Sequence, residues 1–535
     1  MKNILLFGIL LMISFVQAQE DAWVYFTDKP NVQEALANPS SILTQRALDR
    51  KTRHNISIDE RDVPVNESYI AQLKNATGIT VLAKSKWLNA VHVRGSESNI
   101  SNLQSLDFVQ LIDFASKEIS DIGRRAFIGD TPDIENETFD FEYGEARNQV
   151  EMLKTDQLHL SDYTGEGIII AVMDSGFPNV TTMAAFERIR SNGDYLGGYD
   201  FPSRTEDVTA YAGGDHGTRV LSTMAGFVPD QYVGTAPDAS YYLFRTEIGA
   251  SENPVEESYW VEAAERADSL GVDIINTSLG YTTFDESKYN YSPSDMDGNT
   301  TFISRGASIA GQKGMLVVTS AGNSGNSTWG VVGAPADSPN VFTIGAVTNM
   351  GQYATFSSKG SNVQPTIKPD VVAQGAPAAV ITSNNTIVLN NGTSFSSPIM
   401  AGSLASLWQA MPDIDSETLK QIVRESASQA NSPDFLLGYG IPNMSDALSA
   451  VLSVKKYKNS RIEIFPNPVK SLLNFKVESN SESSYRIFDV LGKKVFSGKF
   501  SGENHSVDLS NLSSGLYLLK LESGNFSESF RIIKS

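Results

Sequence analysis

The sequence predicts an α/β protein: a central parallel sheet covered by helices on both faces, a small α+β domain before it and a small β-sandwich after it. Three observations carry this reading. Between residues 150 and 453, continuous apolar runs such as Ile168–Met173 and Gly314–Thr319 alternate with helix-compatible segments, as in a sheet buried on both sides. Residues 20–115 mix strand and helix patterns. Residues 460–535 are short alternating segments separated by turns such as Leu491-Gly492 and Ser514-Gly515. At 535 residues the chain is long enough for several cores.

Composition narrows the function. Hydrophobic residues make up 41% and charged residues 19%, a globular balance. The net charge is −20, concentrated in residues 151–450, where 14 lysines and arginines face 33 aspartates and glutamates. Such a surface repels phosphates, which excludes a nucleic-acid partner. There is no cysteine, so disulfides, thiol nucleophiles and cysteine metal sites are excluded.

In chain order, residues 1–18 read as a secretory signal: Lys2, the apolar run Ile4–Val16, then small residues near Ala18. The run is too short to cross a bilayer, and no later segment spans one. Residues 20–115 hold strands at Ala22–Phe26, Ile79–Ala83, Leu88–Arg94 and Phe108–Phe114, with helices at Ser41–His54, Ser68–Lys74 and Asn99–Leu106. Residues 116–149 are polar and acidic and read as an exposed connector. After the central domain, the basic stretch Lys455–Ser460 leads into Phe465-Pro466-Asn467-Pro468 and the strands of the tail.

The chemistry lies in the middle. The run Ile168–Met173 ends in Asp174-Ser175-Gly176, which places a carboxylate at the carboxyl end of a parallel strand, where such sheets bind ligands. Asp-Ser-Gly also suits an aspartic protease, but those enzymes share a proton with a second such motif, absent here. Of five histidines, only His216 sits in a glycine-bracketed turn, Gly214-Asp215-His216-Gly217, before a helix. Ser394 lies in Asn391-Gly392-Thr393-Ser394-Phe395-Ser396-Ser397-Pro398, ahead of a small-residue helix. Pro398 is expected within the first helical turn, putting the helix start near Ser394; an N-cap role is the plain alternative. Asn323, in Ser320-Ala321-Gly322-Asn323 after another buried strand, offers a neutral amide donor suited to a tetrahedral oxyanion. The chain order Asp, His, Ser and the lack of Gly-x-Ser-x-Gly disfavour an α/β-hydrolase.

These motifs together resemble the subtilisin-family serine peptidases over residues 150–450, supported by Asn276-Thr277-Ser278-Leu279-Gly280 and Lys368-Pro369-Asp370. The resemblance implies a secreted endopeptidase acting through an acyl-enzyme: Ser394 as nucleophile, His216 as base, Asp174 orienting it and Asn323 receiving the oxyanion. It implies that Ser278, Leu279 and Gly280 pair with the substrate backbone, beside Ala321 and Gly322, and that Gly333 floors a pocket suited to large apolar side chains. Phe395-Ser396 departs from the Met-Ala commonest in the family. An inactive binding scaffold and an exopeptidase stay as alternatives.

The flanks carry resemblances of their own. Residues 20–115 resemble the inhibitory propeptide of such peptidases, with an adhesive accessory domain as the alternative. Residues 460–535 resemble the C-terminal sorting domain of type IX secretion, through Phe465–Pro468, Ile487–Lys493 and Leu512–Lys520, with a carbohydrate-binding sandwich as the alternative. Expected partners are protein or peptide substrates, the chain's own propeptide and the secretion machinery, with export through the periplasm to the medium or cell surface. The chemistry is expected to need no cofactor. Structural calcium fits the resemblance, but its ligands are not assignable, and Asp295-Met296-Asp297-Gly298 reads as a polar turn.

Overall fold

A computed structural model describes residues 19–118, 141–211, 213–458, 462–477, 483–489, 493–502, 504–523 and 526–535. The expected signal segment, most of the connector and the Leu491-Gly492 turn lie outside them. Contacts divide the chain into two units, residues 1–451 and 452–535.

The first unit begins with the α+β domain. Its strands β1 (Gln19–Phe26), β2 (Ile79–Ser85), β3 (Ala90–Ser96) and β4 (Val109–Phe114) form an antiparallel sheet in the order β2-β3-β1-β4. Strand alternation sends Ala22, Val24 and Phe26 to one face, where they pack with Ile70 and Leu73 of a helix at Glu67–Lys74. Trp23 points the other way into the core of the central domain, stacking on Phe302 with ring centroids 4.7 Å apart and donating to Ser258 Oγ at 2.8 Å.

Between β1 and β2 the chain throws out an arm built on α1 (Gln45–Arg53), N-capped by Thr44. Two of its basic residues, Arg50 and Lys51, which a lone helix would expose, are buried against acids. Arg50 pairs with Asp268, and Lys51 lies 2.9 Å from Asp268 and 3.1 Å from Asp62. Arg46 pairs with Asp273 and donates to the carbonyls of Gly167 at 2.9 Å and Gly271 at 3.1 Å.

The main sheet of the central domain has seven strands: β5 (Ile169–Asp174), β6 (Tyr195–Asp200), β7 (Ser240–Arg245), β8 (Ile274–Thr277), β9 (Leu316–Ser320), β10 (Phe342–Thr348) and β11 (Val371–Ala376). They run parallel in the order β11-β10-β9-β8-β5-β7-β6. Every residue of β5, β8 and β9 is buried, the apolar starts of these strands giving way to polar residues at their carboxyl ends. Among the helices packed on this sheet are α2 (His216–Ala225), α3 (Val255–Leu270), α4 (Phe302–Gln312) and α5 (Thr393–Ala410). Helix α3 is enclosed between the sheet and the N-terminal domain, so Glu256, Glu257, Glu265 and Asp268 are buried too. The carboxylate of Glu265 accepts from Ser85 Oγ at 2.6 Å and from the backbone N–H groups of Lys86 and Trp87 at 2.9 Å. It ends at Gly271, whose φ of 84° suits a residue without Cβ.

Two expectations are corrected. Residues 141–149 are not an exposed connector: Tyr143 is fully buried and bonded to His159, and Gln149 donates to the Ala379 carbonyl at 3.1 Å. Helix α5 begins at Thr393 with Gly392 as its N-cap, so Pro398 is the sixth helical residue rather than a first-turn one. The ring removes the N–H that would bond the carbonyl of Ser394 four residues back. That carbonyl accepts instead from Ser278 Oγ at 2.9 Å, which relieves the defect.

The second unit is strand-rich. Strands β12 (Ile462–Phe465), β13 (Leu472–Val477) and β16 (Asn504–Asp508) form one antiparallel sheet; β14 (Ser483–Asp489), β15 (Lys494–Phe500), β17 (Gly515–Ser523) and β18 (Phe526–Lys534) form another. Leu473, Phe475 and Val507 from the first share a core with Ile487, Leu519 and Ile532 from the second, the sandwich expected from the alternation.

Candidate active site

Each candidate group is delivered by the carboxyl end of a strand or the start of a helix. Asp174 is the last residue of β5 and its side chain is fully buried. Its Oδ1 accepts from the Ser175 backbone N–H at 2.7 Å and from His216 Nδ1 at 2.8 Å, while Oδ2 has no partner among the described residues. His216 opens α2. The next residue must be small: a Cβ on Gly217 would lie 2.4 Å from the Gly176 carbonyl and 3.0 Å from Asp174 Cβ. Because a carboxylate only accepts, the neutral ring carries its proton on Nδ1 and leaves Nε2 as the free base.

The ring is flanked by Phe395 at 5.8 Å between centroids, yet 37% of the His216 side chain stays open to the cleft. Burial lowers its pKa, but the charge and hydrogen bond of Asp174 outweigh that and raise it above 6.5.

Ser394 is the second residue of α5, a helix buried at every position except Ser394 and Gln409. Its hydroxyl donates to the Ser278 carbonyl at 3.2 Å. No hydrogen bond joins it to His216 among the described residues, so the structure pairs the acid with the base and leaves the hydroxyl turned to the neighbouring strand. Both side chains line one cavity with Asn323. Rotation of Ser394 about χ1 re-aims its hydroxyl, and such bonds tighten on substrate binding.

Asn323 is oriented by its surroundings. Its Oδ1 accepts from the Thr393 backbone N–H at 2.9 Å and from Thr393 Oγ1 at 3.1 Å. A backbone N–H can only donate, which fixes which end of the amide is oxygen. Nδ2 then carries two hydrogens with no partner among the described residues, beside Ser394.

Ser278, Leu279, Gly280, Ala321, Gly322, Asn323, Gly333 and Ser394 all line a single pocket of about 150 Å³. The sequence reading missed Thr282, Val331 and Ser358 in that wall. Ser358 accepts from the Ser324 N–H at 3.0 Å, a tie between loops 34 residues apart that no local pattern signals. Among the described residues, no charged side chain lines the pocket. The Asp295–Gly298 turn offers a cation little, since Asp297 is occupied by the N–H groups of Asn299 and Thr300, and Asp295 by Ser292 and Lys117.

Residues 165–440 match the Subtilase family, residues 21–128 the Peptidase S8 propeptide domain of Bacteroidota, and residues 463–535 the secretion system C-terminal sorting domain. The chain belongs to the subtilase family. It is a serine endopeptidase made with a propeptide and a type IX sorting domain, and it is secreted or displayed at the cell surface. It is similar to subtilisin E of Bacillus subtilis (strain 168), 28% identical over 300 residues that cover 56% of this chain and 70% of the other. It is also similar to the subtilisin of Bacillus pumilus, 29% identical over 300 residues, 56% of this chain and 97% of the other. Subtilisin Savinase of Lederbergia lenta is 29% identical over 290 residues, 54% and 93% of the two chains. No described helix is long and apolar enough to cross a membrane.

Proposed function

We propose that hydrolysis proceeds by acyl transfer to Ser394. His216 Nε2 takes the hydroxyl proton as Oγ attacks the peptide carbonyl, then delivers it to the leaving amine. Asp174 holds the tautomer and stabilises the imidazolium. Asn323 Nδ2 and the Ser394 backbone N–H receive the oxyanion, each such donor being worth about 3 kcal/mol of barrier. Water then releases the acyl group by the same route in reverse. The observation that carries this reading is the 2.8 Å bond from His216 Nδ1 to a buried Asp174, with Ser394 and a free amide on the wall of the cavity the ring faces.

The pocket bounded by Ser278–Gly280, Ala321–Gly322 and Gly333 takes the side chain preceding the cut bond. Its neutral wall favours an uncharged residue.

The pH profile tests the base. Since Asp174 raises the pKa of His216, activity falls as pH drops through a midpoint above 6.5. Asp174→Asn removes that cause, so kcat drops about 10⁴-fold and the midpoint of the residual activity moves down. A profile peaking at pH 3 to 4, or a midpoint unmoved in Asp174→Asn, contradicts the assignment.

We also read residues 20–115 as the inhibitor of the nascent enzyme, the maturation cut as falling within 116–149, residues 150–453 as the peptidase and residues 460–535 as the sorting signal. Deleting 460–535 should leave active enzyme in the periplasm and none in the medium, measured by fractionation. Undiminished release rules out the sorting role.

A further inference from the structure

The cleft has a second chamber, of about 490 Å³, lined by His216, Ser278 and Leu279 and by the acids Glu247, Glu252 and Asp285. Among the described residues, no lysine or arginine lines it. Glu247, Glu252 and Glu256 bring one carboxylate oxygen each within 4.8 Å of one another. Glu256 is occupied by the backbone N–H groups of Ile248 at 2.6 Å and Asn253 at 2.7 Å. Glu247 is different. It is only 8% exposed; Oε1 accepts from the Tyr281 hydroxyl, and Oε2 has no hydrogen-bond partner among the described residues. Arg245, whose charge reaches Glu256, is committed elsewhere: to Asp200 at 2.8 and 2.9 Å, and to the ring of Tyr211 at 3.9 Å from its centroid. Burial therefore pushes Glu247 well above the usual carboxylate range, and burial together with Glu256 raises Glu252 to about 7. These are acids gathered without a counter-charge of their own.

Resting on the peptidase reading above, we propose that this chamber binds the lysine or arginine side chain of a peptide substrate, at the residue immediately before the one held in the neutral pocket. Ser278 and Leu279 belong to both chambers. Successive side chains of an extended peptide point to opposite faces, so a backbone laid along Ser278–Gly280 sends one to each. An ammonium or guanidinium supplies the charge the carboxylates lack, with Glu247 Oε2 as a ready acceptor. The excess of acids over bases in residues 151–450 draws basic peptides towards the cleft.

The test uses end-blocked fluorogenic peptides differing only at that residue, with Lys, norleucine or Glu, assayed on wild type, Glu247→Gln and Glu252→Gln. The lysine peptide should exceed norleucine in kcat/KM by about tenfold, as one charged hydrogen bond gives, and the glutamate peptide should be worst. In Glu252→Gln the lysine-to-norleucine ratio should fall towards one. Glu252 is partly exposed, so this variant carries the test even if Glu247→Gln does not fold. Equal rates for lysine and norleucine overturn the proposal and leave the peptidase reading standing, whereas no cleavage of any peptide overturns both. Calcium binding that is lost in Glu252→Gln, without a lysine preference, assigns the chamber to a metal ion and overturns the proposal.

Discussion

Ser394→Ala should lower kcat by about 10⁶-fold while leaving the fold intact. The size of the loss follows from the role: without Oγ no acyl-enzyme forms, and His216 and Asp174 have no proton to move. The fold survives because the tie between α5 and the segment leaving β8 does not use that hydroxyl. Ser278 Oγ donates to the main-chain carbonyl of residue 394, which alanine keeps. The lost bond from Ser394 Oγ to the Ser278 carbonyl is 3.2 Å long and lies at the cleft, where water replaces it. Casein cleavage and labelling by a fluorophosphonate should both vanish, with thermal unfolding unchanged within a few degrees. Undiminished casein cleavage by the variant would falsify the mechanism.

The second large effect concerns the grip of the N-terminal domain. Asp268 is fully buried, and its partners Arg50 and Lys51 belong to the arm. Their charges hold its carboxyl below the usual range against the opposing effect of burial. Asp268→Ala leaves Arg50 with no acid and Lys51 with Asp62 alone. Breaking one side of a buried pair costs about 3–5 kcal/mol, roughly a hundredfold to several thousandfold in affinity. The readout is inhibition of the mature enzyme by added residues 19–118. In the enzyme freed of that domain Asp268 faces water, so peptidase activity itself should barely change. An inhibition constant equal to that of the wild type would show that the arm contributes nothing to binding.

What could be read from the sequence tracks the range of the interactions. Residues 168–173 are apolar without a break, as a strand covered on both faces requires, and this puts Asp174 at the mouth of the sheet. Gly217 was legible only as one bracket of the turn that holds His216; that a side chain there would strike Gly176 is a matter of the fold. The start of α5, expected near Ser394, falls at Thr393, but the place of Pro398 within the helix was not legible. Pro398 argued for a first-turn position, but the carbonyl it leaves bare is taken by Ser278, 116 residues away. Residues 141–149 misled in the opposite sense: their polarity suggested an exposed connector, while Tyr143 and Gln149 find buried partners in His159 and Ala379. Glu247, Glu252 and Glu256 passed unnoticed, although three glutamates in the stretch that follows β7 were a visible signal. Only the fold shows that Arg245, next to them in sequence, turns its charge to Asp200.

The arm also bears on the order in which the molecule assembles. One guanidinium, that of Arg46, touches the carbonyl of Gly167 and the carboxylate of Asp273, the residues just ahead of β5 and β8. Those two neighbouring strands are joined by about a hundred residues of chain, and closing so long a loop is a slow step in forming a parallel sheet. A single cation can thus hold the two ends in register while the intervening chain is still searching. Once the first hundred residues are cut away the finished sheet keeps its own contacts but has lost its jig, so the freed enzyme should hold its shape far more readily than it regains it.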